Sequence, residues 1–112
     1  VYSTNFGVPD DAGVIDAERG VKFVFYSNVW PGTTWWGSFQ VPVTGDYNIA
    51  HTGQPVFEMT IRRNSQFSGS VATPANGETV VVTLDAGVPY YVEAYQPGAA
   101  MMGGTAVWVW AD

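Results

Sequence analysis

Residues 79–95 read TVVVTLDAGVPYYVEAY. Thr79–Leu84 is dominated by β-branched side chains, Asp85–Pro89 turns through Gly87, and Tyr90–Tyr95 resumes with aromatic and small apolar residues. Branching at Cβ restricts χ1 in a helix, whereas the pleated surface of a strand accommodates it. The stretch is therefore strand, turn, strand, and the same pattern extends in both directions along the chain.

Upstream, Val56–Arg63 alternates Phe57, Met59 and Ile61 with Glu58, Thr60 and Arg62, the period of a half-buried strand. Val21–Ser27 sets Val21, Phe23 and Phe25 against Lys22, Val24 and Tyr26. Trp35–Pro42 sets Trp35, Gly37, Phe39 and Val41 against Trp36, Ser38 and Gln40, and Tyr47–His51 puts Tyr47 and Ile49 on one face. Gln66–Ala72 reads as a short edge strand. The glycine turns at Val43–Asp46 and Asp85–Pro89, and Asn76–Gly77 within Pro74–Glu78, read as hairpin turns. Downstream, Gln96–Gly104 is a loop with a methionine pair. Thr105–Ala111 then alternates Trp108 and Trp110 with Val107 and Val109, and the tryptophan pair is expected to face the core. Helical periodicity is confined to one short turn at Asp16–Gly20, with Asp16 as its candidate cap. The prediction is one domain over 1–112, an all-β antiparallel sandwich or jelly roll of about seven to nine short strands.

Composition narrows the class. A chain of 112 residues can bury a real core without staples. With no cysteine, disulfides, thiolate metal sites and cysteine nucleophiles are excluded. The net charge of −6 argues against nucleic acid and anionic membranes, which need clustered Lys and Arg, and the one basic pair, Arg62–Arg63, reads as a solvated strand end. No run approaches the roughly twenty apolar residues that span a bilayer, so membrane insertion is not expected. Charged residues are 12% of the chain, about half the usual quarter, and aromatics are 15%. That balance suits a sandwich outside the cell, on a secreted protein, a cell surface or a virion surface. The start at Val1 reads as a processed mature form or a piece cut from a longer protein.

Three segments carry a family likeness: YSTNFGVPDDAGVID near the start, WWGSFQVPVTGDYNIAHTG at 35–53, and VTLDAGVPYYVEAYQPG followed by GTAVWVW. Their order resembles the PA14-type β-sandwich family of secreted glycosidases, fungal adhesins, toxins and bacterial surface proteins. The resemblance implies a sandwich that binds rather than reacts. Sugar-binding members hold Ca²⁺ with an acidic pair in the loop after the second segment. Here that region reads Ala50-His51-Thr52-Gly53-Gln54-Pro55, without a carboxylate, so no metal site is carried over.

Chemistry-bearing residues are few. His51 is the one histidine, has no nucleophile or orienting carboxylate placed beside it by the sequence, and reads as a strand-end or loop residue. Asp10, Asp11, Asp16 and Glu18 form an acidic segment of the kind that can hold a cation, though the spacing fits no EF-hand loop. Glu58 and Glu93 are mid-strand carboxylates on outward faces, not a pair facing each other across a cleft. No catalytic residue and no cofactor is predicted.

The aromatics are the informative set, because Trp and Tyr stack on sugar rings and also anchor protein interfaces. Trp35 and Trp36 must point to opposite faces, as must Tyr90 and Tyr91. The expected function is a non-catalytic carbohydrate-binding module. It would present Trp30, Trp36, Tyr91 and Tyr95, with Gln40, Asn48 and Glu93 as polar partners. The alternative is a structural subunit of a fibre, sheath or virion coat, burying apolar faces against neighbouring copies. A glycan or a protein surface, with homo-oligomers or a larger assembly, is thus the expected partner.

Overall fold

The computed structural model describes residues 8–19, 21–54, 57–97 and 103–112. Among the described residues nine strands follow one another: β1 (Asp10–Val14), β2 (Phe23–Val29), β3 (Thr34–Gln40), β4 (Gly45–Gln54), β5 (Glu58–Arg63), β6 (Ser70–Ala72), β7 (Thr79–Leu84), β8 (Tyr90–Tyr95) and β9 (Gly103–Ala111). They form a five-stranded sheet in the order β1-β3-β8-β5-β6 and a four-stranded sheet in the order β2-β9-β4-β7. Pairing is antiparallel except for β1 on β3. The all-β sandwich expected from the alternation is the fold. The described part of Asp16–Gly20 is a turn closed by the Val21 N–H on the Glu18 carbonyl at 2.9 Å, with no helix for Asp16 to cap. The methionine pair, the first seven residues and Val56 lie outside the described residues.

The hairpin readings are corrected. Gly77 and Gly87 adopt the positive φ that tight turns demand. Yet β6 and β7 lie in different sheets, as do β7 and β8, and so do β3 and β4 around 41–44. These turns are arches that lift the chain from one layer to the other. Among the described strands, β5 and β6 are the consecutive pair that hydrogen-bond as a hairpin. A tight reversal fixes the direction of the next strand but not its sheet. The partner is chosen by burial, and both faces of these strands are apolar enough to accept either layer.

The core lies between the sheets. Trp35, Phe39, Tyr90, Val92 and Ile61 come from the five-stranded layer, and Tyr47, Ile49, Leu84, Val107 and Val109 from the other. Phe39 stacks on Tyr90 at 5.8 Å, and Phe25 meets Trp35 edge-on at 5.1 Å. The expectation that Trp108 and Trp110 face this core is overturned. Val107 and Val109 fill those positions, and both tryptophans are half-buried on the outer face. Packed sheets sit only about 10 Å apart. The large rings of the opposite layer already occupy that space, so valines fit across from them. Outside, the Lys22 ammonium lies 4.3 Å above the Trp110 ring.

His51 is also corrected. It sits inside β4 rather than at a strand end and is 1% exposed. Its Nδ1 lies 3.4 Å from the Pro74 carbonyl, and Nε2 has no partner among the described residues. Burial pulls the imidazole below its ordinary range, and the Pro74 contact opposes this in part. The Arg62–Arg63 pair is engaged, not merely solvated. Arg62 bonds Glu93 at 3.0 Å, and Arg63 bonds Asp85 at 2.6 Å.

Candidate functional site

An open trough runs along β9 on the outer face of the four-stranded sheet. The register builds it. Tyr26, Ala106 and Thr52 form one row across β2, β9 and β4, and Asn28, Gly104 and Gln54 form the next. The middle strand carries the two smallest side chains while its neighbours carry long polar ones, so the floor drops between two walls. The walls stand two ladder spacings apart, about 10 Å. The hollow measures about 430 Å³ and no charged side chain lines it, a volume in the range of small-ligand sites. Tyr26 stands 71% exposed, and Asn28, Thr52 and Gln54 are exposed around it. Two residues further along β9, on the same face, come Trp108 and then Trp110, with Val24 and Ala50 flanking Trp108.

This set pairs an aromatic platform with side-chain amides and hydroxyls over an apolar floor. It can hold a flat, neutral, hydroxyl-rich ligand by stacking and hydrogen bonds. It contains no acid–base pair. Among the described residues no three His, Cys, Asp or Glu side chains gather to hold a metal. In the acidic segment, Asp10 accepts from the Trp35 indole N–H at 2.7 Å, and Asp11 accepts from the Gly13 N–H and the Ser38 hydroxyl.

Five of the seven residues singled out in the sequence share the opposite surface, the outer face of the five-stranded sheet. Trp36 pairs with Glu93 across β3 and β8, Tyr91 and Tyr95 flank that row, and Gln40 ends the strand. All five are half-buried. The Glu93 carboxylate is held by Arg62 through Nε at 3.2 Å and Nη2 at 3.0 Å. Trp30 is not on this face. It is 52% exposed in the β2–β3 loop, where buried Gln96 fixes the chain through its backbone bonds to Gly32 and Thr33 and its side-chain amide on Val29 at 2.6 Å. Asn48 lies on the other sheet, donating to Asp112 at 3.0 Å. Sequence reading missed Tyr26, Asn28, Thr52 and Gln54. Of these, Tyr26 lay in a strand the alternation marked, whereas Asn28 fell past the strand end read at Ser27. Thr52 and Gln54 fell in a stretch, Thr52–Pro55, that reads as a glycine turn, but β4 continues to Gln54. Their meeting around Gly104 depends on the pairing of distant strands.

No protein-family model matches the chain, and no curated protein sequence does. Several solved structures share the fold. The pre-peptidase C-terminal domain of collagenase from Bacillus anthracis superposes with a TM-score of 0.67 at 16% identity, covering 91% of this chain and 94% of that one. PliG of Aeromonas hydrophila, a periplasmic inhibitor of g-type lysozyme, superposes with a TM-score of 0.58 at 11% identity, covering 91% and 99%. The chain is thus similar in fold to known β-sandwich domains. Among the described residues no helix is long and apolar enough to cross a membrane.

Proposed function

We propose that this chain is a non-catalytic binding module for neutral glycans, working outside the cytoplasm. The trough over Gly104 and Ala106 is its binding site. The observation that carries the reading is the lining: an exposed tyrosine and two amides around a hollow of about 430 Å³ with no charge. Stacking on Tyr26 supplies affinity, and Asn28, Gln54 and Thr52 bond the equatorial hydroxyls. The PA14-type likeness and the aromatic surplus support the same class. The periplasmic setting of one structural neighbour agrees with the location.

The test is affinity electrophoresis of the full chain in gels of neutral polysaccharides, backed by a glycan array. Retention on a neutral polymer, lost in Tyr26→Ala and Asn28→Ala, is the expected result. Tyr91→Ala and Trp30→Ala serve as the comparison. If they abolish retention while Tyr26→Ala does not, the five-stranded face or the β2–β3 loop holds the sugar instead. No retention on any polysaccharide ends the proposal.

A further inference from the structure

Among the described residues the sandwich has four edge strands, and they are not treated alike. In the five-stranded sheet, β1 carries Asp10 and Asp11 and a break in register, while β6 is three residues long beside another break. Charge, bulges and short length are the usual means of stopping an edge from pairing with another chain. In the four-stranded sheet, β7 has none of them. It is six residues, uncharged, free of proline and in regular register with β4.

The direction of its backbone groups follows from the hydrogen bonds. The His51 N–H donates to the Glu78 carbonyl, and the His51 carbonyl accepts from the Gly77 N–H at 2.7 Å. Odd-numbered residues of β4 therefore face β7, and the bonded pairs are Tyr47 with Val82 and Ile49 with Val80. The N–H and C=O groups of Thr79, Val81 and Thr83 point the other way, where no described strand pairs with them.

Those residues belong to a segment that reads the same in both directions: Thr79-Val80-Val81-Val82-Thr83. We infer that β7 pairs antiparallel with β7 of a second copy about a two-fold axis at Val81. The register sets Thr79 against the partner's Thr83 and Val80 against the partner's Val82, with Val81 meeting its own counterpart. Every cross-strand pair is then Thr–Thr or Val–Val, combinations that stabilise antiparallel ladders. The pairing supplies about six backbone hydrogen bonds and covers Val81, which is 56% exposed in one chain. The edge β2 lacks this symmetry. Centred on Tyr26, it would set Val24 against Asn28 and Phe25 against Ser27.

The axis stands normal to the sheet, because paired residues keep their side chains on one side. An eight-stranded sheet results, with both troughs opening on the same face. An interface of one strand edge is small and belongs to the weak, reversible class. Each copy carries −6, so their mutual repulsion opposes it, and salt that screens the repulsion strengthens it.

Oxidative cross-linking tests the geometry directly, since the chain has no cysteine of its own. Val81→Cys places the two thiols across the axis, within the separation a disulfide spans. Val43→Cys, 66% exposed in the β3–β4 connection, is the control. At equal concentration with a copper–phenanthroline oxidant, Val81→Cys should dimerise at least tenfold faster. Equal rates overturn the inference. Sedimentation of the unmodified chain in about 0.5 M salt should show a mass that rises with concentration. Val81→Lys, folded by circular dichroism, should stay monomeric. A monomer throughout, or a dimer that Val81→Lys leaves intact, also overturns it.

Discussion

Gly37 is the residue on which the seating of the buried Trp35 indole depends. The Trp35 indole, 2% exposed, folds back over it, held at its N–H by Asp10 and edge-on by Phe25. A Cβ at position 37 would run into the far end of that ring, so the buried indole would have to shift. Gly37→Ala should therefore lower stability by about 1–3 kcal/mol. It would be read as a reduced urea midpoint with an unchanged slope. Gly45→Ala meets nothing within 4 Å and should stay within about 0.5 kcal/mol of the parent. His51 gives the other residue-scale prediction. Burial disfavours the imidazolium, so the folded chain binds fewer protons than the unfolded one. Stability from this group is complete above the ordinary imidazole pKa of 6.5 and falls as pH drops from there toward the lowered folded value. The loss approaches about 1.4 kcal/mol per pH unit within that window. Urea titrations at pH 7 and pH 5 should show a smaller difference for His51→Leu than for the parent. An identical difference would remove His51 from the account.

At the scale of elements, β9 shows what the sequence could and could not supply. Its outer face reads Gly104, Ala106, Trp108, Trp110, two small residues and then two large ones, so a hollow meets a step. The period-two pattern made it a strand. The error lay in which face was inward, because that pattern weighs side chains of one strand and not the volume left by the opposite layer. The grouping of Trp36, Glu93, Tyr91 and Tyr95 was legible for the converse reason: β3 and β8 each alternate with polar and large residues, and either pairing puts those positions outside. The trough was not legible, because Asn28, Gly104 and Gln54 share a row only through the β2-β9-β4 pairing, which arches rather than hairpins create. Gly104 offers the sharpest test of that row. A Cβ there meets only the Asn28 Oδ1 at 3.4 Å, so a larger side chain extends into the trough rather than into the core. Gly104→Val should reduce glycan retention at least tenfold while leaving the melting temperature unchanged or raised, since a β-branched residue suits a strand better than glycine. A variant that melts early would make Gly104 a packing residue instead.

The whole molecule joins the two proposals through geometry. In the paired sheet, β9 of one copy lies five strand spacings from β9 of the other, about 24 Å. Each trough is displaced along its strands by about five residues from the row of Val81 and Asn48, in opposite directions about the axis, so their centres fall about 40 Å apart. Both open toward the same side. A weak dimer so arranged gains little on a soluble sugar, which fills one trough at a time, but much on a surface whose chains present units at that spacing. The second contact becomes intramolecular, and avidity can exceed single-site affinity by about 10²-fold or more. Val81→Lys separates the two effects, because it changes the edge and leaves the trough intact. Titration with a short soluble oligosaccharide should give the same affinity for Val81→Lys and the parent. On a densely coated polysaccharide surface the variant should dissociate at least tenfold faster, and the gap should close as the coating is thinned beyond the reach of two sites. A variant that binds dense and sparse surfaces as the parent does would mean that each trough works alone.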